Sequence, residues 1–435
     1  MTTPAMQAEQ PQTPQTPQTP QTPRAARPAR LWRNRSYMLL WSGQAVSSVG
    51  TQVSTVAFPL LVLLLTNSPA QAGLIGAARA LPYLFFSLPA GALVDRWDRK
   101  RVMILCDAGR AVALGSIPVA LAVNHLGLAQ LYVVSLVEGT LFVFFNIAEV
   151  ACLPRVVTKE QLPAANAQNA ATDGTSTLLG PALGGALFGI HSLLPFVADA
   201  VSYAFSVVTL LFIPVRFQGE RNMATRRSLR AEIGEGLVWL WRQPLIRFIA
   251  VLTGVTNVPG LALIVIVVAQ QQMHASAAVV GLIFTIGGVG AILGAAIAPW
   301  VQKRFSFASV ILGTMWFWAL LFPFYALAPN PIWLGVVVAL SFLTSPLYNV
   351  VQMSYRLALI PDELQGRVNS VFRLIAFAGQ PVGLAITGFL LEAFNPLVTA
   401  LAFMALQVAI TVLATINPHI RHAKPLEEIE AGAGG

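Results

Sequence analysis

FPLLVLLLTNSPAQAGLIGAARALPYLFFSLPAGALVDRWDRKRV, residues 58–102, contains the end of one apolar run, a short polar turn, a second apolar run and then a burst of charge. Crossing about 30 Å of hydrocarbon takes roughly 20 helical residues. The run over 72–94 is that long, and the stretch before it, 37–65, is longer. The same pattern repeats down the chain at 102–124, 129–153, 164–190, 192–214, 246–270, 277–301, 307–328, 331–354, 367–391 and 396–416. Runs this long and continuous read as helices, because backbone amides in lipid must bond within their own segment. The expected fold is therefore an all-α membrane protein with twelve transmembrane helices in two six-helix halves.

Composition supports this reading. Of 435 residues, 56% are hydrophobic and 10% charged, against roughly 45–50% and 25% in soluble domains. Too few polar groups are present to clothe a water-soluble globule, which argues against soluble enzymes and free nucleic-acid-binding domains. The net charge of +9 would suit nucleic acid, but its placement does not. With both termini inside, every Lys and Arg lies on the cytoplasmic side except Arg79, Arg110 and Arg373, which fall within helices. External loops carry no Lys or Arg, so the charge reads as a topology signal. Cys106 and Cys152 stand apart in apolar surroundings, and neither a disulfide nor a metal site is expected.

Residues 1–36 form a Pro/Gln/Thr-rich tail, too polar to order itself and expected to be disordered in the cytoplasm. The N-terminal half spans 37–214 and the C-terminal half 246–416, followed by a cytoplasmic tail at 417–435. The linker, 215–245, places Leu229, Ile233, Leu237 and Leu240 at helical spacing beside Arg230, Glu232 and Glu235, as in an amphipathic helix on the inner membrane surface. His125, His191 and His274 lie in separate external loops and read as solvated residues.

GALVDRWDRKRV, residues 91–102, is the most specific string. A simple stop-transfer cluster would need its basic residues, but not Gly91 four positions before Asp95. Here the chain resembles the major facilitator superfamily, whose second loop carries G-x-x-x-D-R-x-G-R-R/K. Gly91, Asp95, Arg96, Arg99 and Lys100 match, Arg101 extends the basic run, and Asp98 replaces the second glycine. The resemblance implies a gating loop that latches the two halves in one conformational state. GPALGG over 180–185 matches the core of the helix-5 motif of drug:proton antiporters through Gly180, Pro181, Gly184 and Gly185. Its plainer reading is close helix packing, since Gly180 and Gly184 form a GxxxG face. Together with stretches 34–48, 235–247 and 361–373, the pattern resembles the branch containing bacterial enterobactin and macrolide exporters.

Ionisable groups at helix centres cost about 2.5–3.5 kcal/mol each on insertion scales and so need partners or a purpose. Asp107 and Arg110, three apart, are expected to pair with each other. Gln44, Arg79, Asn166, Asn369 and Arg373 are further polar groups at membrane depth. In the superfamily, helices 1, 4, 7 and 10 line a central cavity, and Glu138 is the carboxylate placed deep on one of them. A carboxylate in a low-dielectric cavity can load and release a proton, so Glu138 is the first proton-coupling candidate, with Asp173 and Asp199 beside it. A hydrogen bond to a polar neighbour is the alternative for Glu138, and a structural role is the alternative for Asp199. The superfamily's helix-4 Arg motif is missing around Glu138. Phe142, Phe144, Phe145, Trp316, Trp318, Phe322 and Tyr325 are candidates for an apolar binding cavity.

None of the four lysines, Lys100, Lys159, Lys303 and Lys424, ends a G-x-x-x-x-G-K-[ST] loop, so ATP-driven export is not expected. The resemblance implies a monomeric secondary transporter in the lipid bilayer of a bacterial cytoplasmic membrane. It would export an amphipathic or drug-like small molecule, with the proton gradient as energy source and no cofactor. Export of a siderophore, secondary metabolite or lysophospholipid is the alternative, and a membrane-embedded enzyme or receptor the remote one.

Overall fold

The computed structural model describes residues 31–215, 217 and 229–423, except for the side chains of residues 92, 95, 229–232 and 362. The polar tail over 1–30, most of the linker's basic residues and Lys424 lie outside the described residues. Everything described is helix or connection.

The helices are α1 (Arg35–Thr66), α2 (Pro69–Arg96), α3 (Arg99–Ala122), α4 (Leu128–Val156), α5 (Leu162–Ile190) and α6 (Leu194–Leu211). After them come α7 (Leu229–Arg242), α8 (Pro244–Thr256), α9 (Leu261–Val267), α10 (Ala277–Arg304), α11 (Phe307–Leu327), α12 (Pro331–Leu359), α13 (Gln365–Ala393), α14 (Pro396–Ile416) and a last turn, α15 (Pro418–Arg421). Their starts are written locally. Ser68, Asn330 and Asn395 each cap a helix by accepting a backbone N–H, and each is followed by a proline at the first helical position.

Eleven stretches among the described residues are long and apolar enough to cross a membrane. α5 is not one of them. Its 29 residues would reach across, but its first half, with Asn166, Asn169, Asp173 and Thr177, is too polar. It packs between α1 and α10.

The expected seventh span, 246–270, is broken. α8 stops at Thr256, Asn257–Gly260 is irregular, α9 follows, and Val268–Gln272 closes in a wider π turn. Pro259 has no N–H to give and clashes with a preceding helical turn. α13 braces the break: the freed Gly260 N–H donates to Thr387 Oγ1 (2.9 Å), and the Asn257 side-chain amide donates to the Ala376 carbonyl (2.9 Å). Irregular backbone at membrane depth is tolerated where protein covers it in this way. The linker helix also differs from expectation. α7 docks on the start of α13 through a Glu235–Arg367 ion pair (2.7 Å), with Leu240 fully buried, rather than meeting only lipid.

α1 packs on α5 and α6, α2 on α4, and α3 on α4 and α6; in the later part α10 packs on α12, α11 on α12 and α14, and α13 on α8. Two pairs form the main junction between the two sets, α2 with α13 and α5 with α10. Both pairs meet toward the short loops at 67–68 and 191–193. There a Cβ on Gly73 would sit 2.9 Å from Gly388 Cα, and one on Gly185 would sit 2.8 Å from Gly281 Cα. At the opposite end of α2 a Cβ on Gly91 would meet nothing within 4 Å, and Asn166 and Asp173 on α5 are exposed. The molecule is closed at one end and spread at the other.

Candidate functional site

A cavity of about 530 Å³ lies where the two sets meet, with walls from α1, α2, α4, α9 and α13. Thr51, Thr55 and Phe58 come from α1, Arg79 and Tyr83 from α2, and Ser135, Glu138 and Phe142 from α4. Leu263 of α9 and Arg373, Phe377 and Gln380 of α13 complete it. Its size and largely apolar lining with a few polar groups suit a small amphipathic ligand.

The wall is built on a charge cluster. Arg79 Nε donates to Glu138 Oε2, Arg79 Nη2 to Glu138 Oε1 (3.1 Å) and Arg110 Nη2 to the same oxygen (2.9 Å). The carboxylate is 1% exposed, while Arg79 keeps 22% of its side chain open. α2 and α4 come close enough for this because residue 139 is glycine: a Cβ there would lie 2.0 Å from the Arg79 carbonyl oxygen. Arg110 also stacks on Tyr203 (4.0 Å to the ring centroid), whose hydroxyl bonds Thr51 of the cavity wall (2.7 Å). Breaking a buried ion pair by removing one partner costs about 3–5 kcal/mol, because the other charge is left bare. The cluster is thus a constraint on the fold as well as on the cavity.

Several expectations change at this point. Arg110 does bring Asp107 within 3.7 Å, but its closer carboxylate is Glu138, and Asp107 accepts no hydrogen bond among the described residues. The arginines absent from helix 4 are supplied by α2 and α3. Asp199, fully buried on α6, accepts from Ser54 and from Ser202 (3.2 Å). Glu138 is not alone on α4: Glu149, farther along, lies near Asp107 and Asp173 in the spread end. Of the seven aromatic candidates only Phe142 lines the cavity. Trp316 and Trp318 instead bond Thr415 (3.3 Å) and Thr344 (2.7 Å), and Phe145, Phe322 and Tyr325 are buried in the cores.

The remaining candidates divide between packing and open surface. Gly180 and Gly184 face Gln52 and Val53 of α1, while Gly185 faces Gly281 of α10, so GPALGG is a two-sided packing surface. Gln44 reaches Ser206 (3.4 Å) and Asn169 accepts from Tyr37 (3.4 Å). Asn369 Oδ1 is buried without a hydrogen bond among the described residues. In the 91–101 loop, Asp98 has φ −69° and caps α3 by accepting from Arg101 N–H (3.0 Å), so no glycine is needed there. Lys100 holds the carbonyls of Leu211 (3.3 Å) and Ile213 (2.7 Å) at the end of α6, and Arg99 that of Ala151 (3.0 Å) on α4. The Asp95 side chain lies outside the described residues. Sequence reasoning missed Ser54, Tyr203 and Gly139; the adjacent Glu138-Gly139 pair was the one available signal.

The fold is shared with solved transporters. The nucleoside transporter NupG aligns with TM-score 0.70 at 13% identity, covering 89% of this chain and 100% of that one. In sequence, the chain is 28% identical over 404 residues to the multidrug efflux pump Tap of Mycobacterium tuberculosis, covering 88% of this chain and 93% of that protein. It is 24% identical over 366 residues to the enterobactin exporter EntS of Salmonella typhi, covering 82% and 85%. The model of the family described as "Transmembrane secretion effector" (MFS_3) matches residues 28–431. The chain belongs to that family and is a major facilitator superfamily transporter.

Proposed function

We propose that the protein is a proton-coupled exporter of amphipathic or drug-like small molecules, acting as a monomer by alternating access in a bacterial cytoplasmic membrane. The observation that carries this reading is the cavity between the two helix sets, with Arg79 and Glu138 in its wall. In this reading twelve helices cross the membrane, α5 and the broken α8–α9 pair included, as halves 37–214 and 246–416. Both termini are cytoplasmic, so the spread end faces inward and the protein is open to the cytoplasm. The gating loop, Gly91 to Arg101, closes that end in the opposite state, and Asp173 and Asp199 are auxiliary proton sites.

Coupling runs through Glu138. A proton on its carboxylate cancels the charge that holds Arg79, and Arg79 turns to the cavity; loss of the proton re-forms the pair. Substrate and proton thereby act on one bistable contact, without ATP or another cofactor. The efflux role of Tap and the export role of EntS support outward transport, and EntS keeps a single defined metabolite in view as cargo.

The test uses everted membrane vesicles containing the full chain, with substrates chosen from a susceptibility screen of deletion and overexpression strains. Adding a substrate to vesicles with an imposed acid-inside gradient should dissipate it, and Glu138→Gln should abolish that exchange. Exchange in Glu138→Gln equal to wild type would remove Glu138 from the mechanism.

A further inference from the structure

We propose that the cavity selects the anionic group of an amphipathic substrate, with Arg373 as the recognising side chain and Arg356 reinforcing it; this rests on the export reading above. Arg373 and Gln380 stand seven residues apart on α13, which puts both on one face, and both are exposed and line the cavity. Neither Arg373 nor Arg356 has a carboxylate within ion-pair distance among the described residues. Arg356, on α12, is buried over the Phe372 ring (4.1 Å to the centroid), leaves its Nε without a hydrogen bond, and is close enough to Arg373 to repel it. Across the cavity Glu138, the one lining carboxylate among the described residues, is engaged by Arg79 and Arg110.

Inside the cavity a cation would meet Arg373 and, among the described lining residues, no carboxylate other than the already paired Glu138. An oxyanion would meet the guanidinium fork of Arg373, which matches carboxylate, sulfonate or phosphate geometry, with the Gln380 amide two turns away. The apolar body of the same molecule would lie on Phe142 and on the Tyr83–Phe377 pair, whose rings meet edge to face at 5.9 Å. A soluble amphipath and an anionic lipid share this chemistry.

The test places the full chain in phosphatidylcholine nanodiscs, where no anionic lipid competes, and reads thermal stabilisation and equilibrium binding above protein-free discs. 8-Anilinonaphthalene-1-sulfonate is compared with neutral N-phenyl-1-naphthylamine, and lysophosphatidylglycerol with lysophosphatidylcholine. At least one anionic probe should bind saturably and more tightly than its uncharged or zwitterionic counterpart. Arg373→Gln should weaken it by about 10- to 100-fold, Arg373→Lys should restore most of the binding, and the neutral probe should not respond. Preference for the sulfonate alone names a soluble anion as the cargo type; preference for lysophosphatidylglycerol alone names a lipid. Equal binding of charged and uncharged members, or wild-type binding by folded Arg373→Gln and Arg356→Gln, overturns the proposal. Saturable anion binding without export would sink the export reading and leave this one. Export of cationic compounds untouched by Arg373→Gln would do the reverse.

Discussion

Replacing Gly185 with alanine should open the closed end of the molecule. A Cβ there would lie 2.3 Å from the Ala277 carbonyl oxygen and 2.8 Å from Gly281 Cα, where ordinary contact begins at 3.4 Å. These neighbours are backbone and cannot swing aside, so α5 and α10 must part by roughly 1 Å; such overpacking costs about 1–3 kcal/mol. In the alternating-access reading proposed above, α5 and α10 part at this level in the opposite state, so the cost falls on the closed-outside state. The equilibrium should therefore move toward the outward-open state by about 5- to 150-fold. Cys106 and Cys152 are both buried; with both changed to alanine, Thr55→Cys places one exposed thiol on the cavity wall. Labelling of that thiol by a membrane-impermeant maleimide on intact cells should accelerate by the same factor. Gly189→Ala is the control, since its Cβ would sit 3.7 Å from Ala278 Cβ in ordinary contact. Unchanged labelling in a folded Gly185→Ala protein, or equal acceleration by Gly189→Ala, would refute the reasoning.

Three further outcomes follow from the same geometry. Glu138→Gln strands Arg79 without a counter-charge and leaves Arg110 only Asp107 at 3.7 Å; it should cost about 3–5 kcal/mol, read as a lowered melting temperature in detergent that Arg79→Gln added to it partly restores. Gly91→Leu meets open space in the present state, so melting should be unchanged while transport in everted vesicles is lost when that end tries to close. Glu392 caps the start of α2 across the closed end, accepting from Ser68 Oγ and from Ala70 N–H (3.0 Å). Glu392→Ala should therefore remove about 0.5–2 kcal/mol from that state and speed external maleimide labelling by a few-fold to about 30-fold.

The spans were legible because a membrane tests length and apolarity residue by residue, and both are local properties. Helix starts at Ser68-Pro69, Asn330-Pro331 and Asn395-Pro396 were equally local. The break at Asn257–Gly260 announced itself only as a Pro-Gly pair inside an apolar run; whether such a pair kinks or interrupts a helix depends on what can bond the freed amides. Here the Thr387 hydroxyl takes the Gly260 N–H and the Ala376 carbonyl takes the Asn257 side-chain amide, and both acceptors belong to a helix more than a hundred residues away. α5 was the converse case. Its first half is too polar for lipid, which left open what it meets instead; the structure shows Gly180 against α1 and Asp173 exposed at the spread end.

The site was legible as a set of costly residues and not as an arrangement. Arg79, Asp107, Arg110, Glu138, Asp199 and Arg373 could each be singled out from the energy of placing a polar group in lipid, which needs no partner to be known. By itself, then, the sequence determined the transmembrane runs, the one-sided basic loops, the superfamily motifs and this short roster of charges. The tertiary structure alone decided that Glu138 pairs with Arg79 fifty-nine residues away, that Arg373 has no carboxylate partner among the described residues, and which end of the molecule is shut. Hydropathy records how far each helix reaches across the bilayer; the rotation and depth at which helices meet depend on close contacts such as Gly139 against Arg79 and Gly185 against Gly281, and these alone choose which charges pair.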